Sequence, residues 1–347
     1  MIFKLDKLIR NNIAKLEAYS SARDEFDEST ADMIFLDANE NPFQNGVNRY
    51  PDPQQKNVKE LLSDLKGIST NQILLGNGSD EVLDLIFRAF CEPNQDSVVF
   101  LPPTYGMYGV LANLNNIETK EVLLSPDFEI RVEETLREVS KDSKIIFLCS
   151  PNNPSGNSFS SEKIKAILDG FHGLVVIDEA YIDFSNEQSW IEKMHLYPNL
   201  IVTQTLSKAY GMAGIRLGVC YASKEITEVL NRIKPPYNVN ELTQQRAKER
   251  LQKPEEVKKE IQLIVAERIK LEERLKKISI ISKIYPSDAN FILVKVDDAN
   301  KRYTELIQMG IVIRNRTTQA LCENTLRLTV GTTEENNALI DALQELK

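Results

Sequence analysis

A chain of 347 residues with 42% hydrophobic content can bury a large core and divide into two domains, which excludes a small scaffold stapled by disulfides or metal. Its formal charge of −9, from 42 basic and 51 acidic residues, argues against general affinity for nucleic acid or an anionic membrane, so any anion site must be local. Cys91, Cys149, Cys220 and Cys322 are far apart and form no CxxC pair, which suggests neither zinc nor a disulfide framework but buried thiols of a reducing cytoplasm.

The first segment, MIFKLDKLIRNNIAKLEAY, is amphipathic, carries Asp6 and Glu17, and lacks the apolar run and small-residue cleavage site of an export signal. No window approaches the roughly 20 apolar residues of a membrane span. In LLGNGSDE, residues 74 to 81, Gly76 and Gly78 form a turn into a helix, with Ser79 as its N-cap and Val82, Ile86 and Phe90 at helical spacing. Free amides at such a helix start bind phosphate; a plain turn is the alternative reading. A dinucleotide fingerprint fails here because Glu81 replaces the third glycine. In PPTYGMY, residues 102 to 108, the prolines hold Tyr105 rigidly enough to stack on a flat ring, unless it is simply a core or rim tyrosine.

The runs SVVF (97–100), KIIFLCS (144–150), LVVIDEA (174–180) and LIVTQTLS (200–207) alternate with stretches of helical length, which predicts a parallel sheet covered on both faces. Ligands of such sheets bind beyond the carboxyl ends of the strands, where SPNNP, DEAY and LSK fall. Asp178 can keep a pyridine nitrogen protonated, and Asn153 and Tyr181 can hydrogen-bond a ring hydroxyl. The alternative is a turn followed by a strand-end carboxylate that caps the next helix. His172 and His195 are too few for a metal centre or a Ser-His-Asp arrangement and read as loop or solvent-facing residues.

TLSKAYGMAGIRLG, residues 205 to 218, sets Lys208 between Thr205, Ser207 and Arg216, with Gly211 and Gly214 loosening the backbone. An amine that condenses with an aldehyde, beside an arginine fork for phosphate, suits a phosphorylated aldehyde such as pyridoxal phosphate. A surface lysine in a glycine-containing loop is the alternative. From residue 241 a charged helical stretch follows, in which Pro254 opens a second helix. ANFILVKV (289–296), GIVIRN (310–315) and TLRLTV (325–330) then read as strands of a smaller α/β domain.

Taken in order, these segments resemble the fold-type I pyridoxal-phosphate aminotransferases, in the class II aminotransferase family, and within them the histidinol-phosphate aminotransferases. LDANENPF, RYPDP, LLGNGSDE, PPTYGMY, SPNNPSG, DEAYIDF, TLSKAYGMAGIRLG and LRLTVGT carry the likeness over nearly the whole chain. Ser155 stands where the family usually has threonine, which keeps the hydroxyl. The resemblance implies an α/β fold: a large domain with a mostly parallel seven-stranded sheet plus a smaller α/β domain. It divides the chain into an N-terminal arm with part of the small domain (1–44), a large cofactor domain (45–240) and a C-terminal small domain (241–347).

The resemblance also implies roles. Lys208 would hold the cofactor covalently and shuttle a proton, Asp178 would protonate the ring nitrogen, Asn153 and Tyr181 would contact the ring hydroxyl, and Tyr105 would stack on the ring. Ser79, Asp80, Ser207 and Arg216 would surround the cofactor phosphate, and Tyr50 would reach the neighbouring site of a homodimer. Arg327 would bind the phosphate of histidinol phosphate in one half-reaction and the carboxylate of glutamate or 2-oxoglutarate in the other, with Arg314 and Tyr19 as further phosphate contacts. The implied reaction belongs to histidine biosynthesis. An aromatic amino acid aminotransferase and a decarboxylase of a phosphorylated amino acid are the nearest alternatives; a dehydrogenase and a cofactor-sensing regulatory module are disfavoured.

Overall fold

The computed structural model describes residues 3–17 and 34–346, so the expected contact at Tyr19 lies outside the described residues. Seven strands form the larger sheet: β1 (Ile73–Asn77), β2 (Ser97–Phe100), β3 (Glu118–Glu121), β4 (Ser143–Cys149), β5 (Leu174–Asp178), β6 (Leu200–Thr205) and β7 (Leu217–Ala222). Their order is β1-β7-β6-β5-β4-β2-β3. The pairs from β6 through β3 are parallel, and β7 runs against both of its neighbours, which makes the sheet mostly parallel as expected.

Both faces of this sheet are buried, and the period of two along each strand explains how. Leu75, Val99, Ile146, Val175, Ile177 and Val202 pack on one face with Val58 and Leu62 of the helix Lys56–Lys66 and Ile164 of the helix Ser161–Gly170. The intervening residues Leu74, Val98, Ile145, Phe147 and Val176 pack on the other face against the helices Gly78–Phe90, Met107–Leu114 and Lys224–Ile233. Strands with two buried faces must be apolar throughout, which is why β2, β4, β5 and β6 are readable as continuous runs. β3, with the sequence ETKE, lies at the edge beside a single partner and carries no such signal.

A second sheet holds β8 (Ile281–Ile284), β9 (Phe291–Val296), β10 (Arg314–Asn315) and β11 (Thr325–Thr329) in the antiparallel order β10-β11-β9-β8. One face, with Ile292, Val294, Leu326 and Leu328, packs on Leu271 and Leu275 of the helix Pro254–Leu275 and on Leu339 and Leu343 of the helix Thr333–Glu345. Pro254 opens its helix as expected. The strand expected over 310–315 shrinks to the two residues of β10, because Gly310, at φ +82°, still closes the preceding helix.

The helix start after β1 differs from the expected cap. Ser79 lies inside the first turn and Asn77 precedes it; the Asn77 N–H donates to the Glu81 carboxylate at 2.6 Å, and the Gly78 N–H donates to the Arg216 carbonyl at 2.8 Å. These two contacts satisfy the donors at the entry to the helix and leave the Ser79 and Asp80 amides of its first turn without an intrahelical partner. β7 makes this turn possible: a Cβ on Gly218 would stand 2.2 Å from the Ser79 nitrogen, so only glycine lets the two backbones approach. Gly218→Ala should therefore displace the helix start and destabilise the protein by about 1–3 kcal/mol, the usual cost of overpacking. Urea unfolding is the check, and a variant as stable as the parent would show that the contact yields without strain.

Candidate active site

The carboxyl ends of β1, β4, β5 and β6 open on one cleft of about 490 Å³ of empty space, and it gathers most of the residues singled out in the sequence. Ser79, Asp80, Tyr105, Asn153, Asp178 and Tyr181 line it together with Ser207, Lys208 and Arg216. Parallel strands with the same direction bring their following loops to one end, so residues up to 137 positions apart meet there without any long-range design beyond strand order.

One wall is built for an anion. The amides of Ser79 and Asp80 sit in the first turn of the helix Gly78–Phe90, where no intrahelical carbonyl is available to them. Gly78 adopts φ +76°, and a Cβ there would meet the Arg216 guanidinium at 2.6 Å, so the turn and the arginine share one space. Arg216 Nη1 donates to Ser207 Oγ at 3.4 Å, and Arg216 Nη2 lies 3.9 Å from an Asp80 carboxylate oxygen. That carboxylate accepts from the Tyr105 hydroxyl at 2.9 Å, which aligns the half-buried tyrosine ring. Asp80 thus offers an anion its N–H, while its side chain positions Tyr105.

The floor is Asp178, the last residue of β5, with 2% of its surface exposed. It accepts from the Tyr108 hydroxyl at 3.0 Å and from the Ala180 N–H at 3.2 Å, both neutral donors. Burial pushes its pKa up to about 6, with the Tyr108 hydrogen bond acting the other way. Tyr108 was not singled out from sequence, although it lies in PPTYGMY one helical turn after Tyr105; fully buried and stacked on Phe147 at 4.9 Å, it fixes the carboxylate from below.

Lys208 projects into the cleft with its amine 5.7 Å from the centre of the Tyr181 ring. Burial against the cleft walls, then the charges of Arg327 and Arg216, lower its pKa below the ordinary lysine value. A lysine so placed spends more time as the free amine that attacks carbonyl carbon. The smaller sheet reaches two of the cleft's lining residues, Asn153 and Tyr181. Arg327 of β11 donates to Asn153 Oδ1 at 2.5 Å and lies over the Phe291 ring at 5.1 Å, and Phe291 meets the edge of Tyr181 at 5.1 Å. Arg314 is exposed and sits directly across the ladder from Arg327.

Asn152 and Ser155 hold the SPNNPSG loop: Asn152 Nδ2 donates to the Pro103 carbonyl at 2.9 Å and to Ser155 Oγ at 2.7 Å, a bond the serine-for-threonine exchange preserves. Tyr50 lies outside the cleft. It stacks on Tyr237 with ring centres 4.5 Å apart and lines a separate cavity with Asn240 and Leu242. All four cysteines are buried and unbridged, and both histidines are exposed.

The residues suit a flat ring with a basic nitrogen, a hydroxyl, an aldehyde and a phosphate arm. A buried carboxylate facing only neutral donors matches a protonated ring nitrogen, the glycine-lined helix start matches the phosphate, and Lys208 matches the aldehyde. The sheet is that of the fold-type I pyridoxal-phosphate-dependent transferases.

Residues 25–343 match the family described as aminotransferase class I and II. A relative from Flavobacterium johnsoniae, named histidinol-phosphate aminotransferase, is 63% identical over 345 residues, covering 99% of each chain. The crystal structure of the histidinol-phosphate aminotransferase from Clostridium acetobutylicum superposes with a TM-score of 0.80 at 24% identity, over 86% of this chain and 90% of that one. The Sinorhizobium meliloti enzyme of the same name, solved in complex with pyridoxal 5'-phosphate, gives 0.77 at 24% identity over 86% and 82%. The chain belongs to the class I and II aminotransferase family, among the histidinol-phosphate aminotransferases.

The Asp178 environment sets a pH dependence. A carboxylate whose folded pKa is raised from 3.8 to about 6 destabilises the cofactor-free fold as pH climbs through that interval, and the penalty is fully present above it. Asp178→Asn removes the charge, so the cofactor-free variant should gain on the parent by roughly 3 kcal/mol between pH 4 and pH 8, at about 1.4 kcal/mol per unit. Urea unfolding at both pH values checks this; an equal offset at both would mean that the carboxylate is not strained by burial.

Proposed function

We propose that this protein is a pyridoxal-phosphate-dependent histidinol-phosphate aminotransferase. It would move the amino group of L-histidinol phosphate to 2-oxoglutarate, giving 3-(imidazol-4-yl)-2-oxopropyl phosphate and L-glutamate in L-histidine biosynthesis. The observation that carries this reading is Arg327, a cation without an ion-pair partner among the described residues, held by Asn153 at the mouth of the Lys208 cleft. The name of the 63%-identical relative and the cofactor in the S. meliloti structure support it.

Pyridoxal phosphate, when bound, supplies a ring that takes up the electron pair left on the substrate's amine-bearing carbon. The chain's own residues do the rest. Lys208 anchors the cofactor through its amine and, once released, moves the proton at that carbon. Asp178 keeps a proton on the ring nitrogen, Tyr108 orients Asp178, and Asn153 and Tyr181 donate to the ring hydroxyl side. Ser79, Asp80, Ser207 and Arg216 hold the phosphate arm, and Tyr105 covers the ring. Arg327 binds phosphate in one half-reaction and carboxylate in the other, because both anions accept a bidentate fork. Arg314 and Tyr19 are further phosphate contacts in this reading.

A homodimer belongs to the same proposal. Leu36, Phe43, Val47, Tyr50 and Leu242 expose between 51% and 87% of their surface in one region around Tyr50, a patch that a second copy would cover. Residues 45–240 would form the cofactor domain and 241–347, with the arm at 1–44, the small one. Unbridged thiols support a cytoplasmic location. No helix of the described residues is long and apolar enough to cross a membrane.

Purified protein loaded with pyridoxal phosphate and given L-histidinol phosphate without acceptor should convert its cofactor to the amine form, visible by absorption. Failure with histidinol phosphate and success with phenylalanine would move the assignment to an aromatic donor, and release of carbon dioxide to a lyase. Lys208→Ala should abolish turnover and the covalent cofactor adduct that borohydride traps; near-normal turnover would remove the central claim. Arg327→Ala should slow both half-reactions by at least about 30-fold, given the cost of leaving a charged partner unpaired. Loss in only one half-reaction would rule out the shared anion site.

A further inference from the structure

We infer that Arg316 is a second anion-binding arginine of the substrate site, facing the cleft beside Arg327 and favouring a dianionic phosphate over a carboxylate. This rests on the substrate reading above. β10 ends at Asn315, yet the ladder runs one residue further, with the Arg316 N–H donating to the Thr325 carbonyl at 2.9 Å. Alternate residues of a strand share a face, so Arg314 and Arg316 stand on the same side as their cross-strand neighbours Arg327 and Thr325. That side is the one on which Phe291 meets Tyr181; the other side, with Leu326 and Leu328, is sealed in the core of the smaller sheet.

Three arginines on one face repel one another, and an anion bound among them would relieve that repulsion. Among the described residues neither Arg316 nor Arg327 has an ion pair, and the Nε atoms of both are buried without a hydrogen-bond partner. Arg316 is half buried while Arg314 is exposed, which makes Arg316 the inner of the two. Its charge acts on Arg327 and on Tyr181, and burial together with Arg314 holds its own pKa below the ordinary arginine value. A phosphate presents two charges and three oxygens and can satisfy forks from two sides; a carboxylate has one charge and is already met by Arg327 alone.

The test uses the cofactor-loaded enzyme as wild type, Arg316→Gln and Arg316→Lys, with circular dichroism and thermal unfolding to establish that each is folded. Calorimetry gives the Kd for inorganic phosphate and for acetate, and half-reaction kinetics give KM and kcat for L-histidinol phosphate and for L-glutamate. Arg316→Gln should weaken phosphate relative to acetate by about tenfold or more, with the same bias in KM for histidinol phosphate over glutamate, and Arg316→Lys should recover part of it. Equal losses for the two anions, or no loss, would overturn the assignment. A wild-type enzyme that ignores histidinol phosphate would instead count against the proposed donor, and the phosphate-to-acetate ratio would still decide the role of Arg316.

Discussion

Asp178 places a carboxylate at the end of a strand buried on both faces, where the Tyr108 hydroxyl and the Ala180 amide, both neutral, donate to it. Moving a charge into such surroundings costs several kcal/mol unless a counter-charge arrives, and among the described residues none is in contact with it. The protein keeps that cost because the sheet leaves no other route. A parallel sheet delivers its chemistry at strand ends, and a central strand such as β5 ends deep beneath the loops of its neighbours β4 and β6. A ring nitrogen that must stay protonated needs this kind of partner: near, fixed and starved of water.

The same constraint decides what was legible in the amino-acid sequence. β2, β4, β5 and β6 lie inside the sheet, so their apolar runs are continuous and their ends, SPNNP, DEAY and LSK, could be placed at once. β3 is polar because it is an edge, and β1 and β7 were hidden because Gly76 and Gly218 serve the close packing of β7 on the turn that follows β1 rather than a recognisable strand pattern. Tyr108 was missed for a related reason: sequence spacing suggests that two tyrosines share a helix face, but only the packing of β4 shows that one of them reaches β5.

The smaller sheet was harder to read. GIVIRN looks like a strand of six residues, yet backbone conformation at Gly310 spends most of it on leaving a helix. What remains, Arg314 and Asn315, settles a register that alternation alone could not choose, and the register decides that the arginines lie on the side away from the core of the smaller sheet. Hydrophobic pattern finds the core face of such a strand through Leu326 and Leu328; the charged face acquires meaning only once the larger sheet is set against it.

Arg216 and Lys208 line the cleft, and Arg327 acts on Lys208 through its charge, so this part of a chain whose net charge is −9 carries a local excess of positive charge. After burial, Arg327 is the largest influence holding the Lys208 pKa below the ordinary lysine value. In the proposed reading an anion on Arg327 would cancel much of that charge and make the Lys208 amine a stronger base when a substrate proton must be taken. Substrate recognition and proton transfer would in that reading be linked through one guanidinium, which also donates to Asn153. Replacing Arg327 by a neutral residue removes the anion contact and this link together, whereas lysine at the same position would keep the charge and lose the fork that spans phosphate, carboxylate and amide oxygen alike.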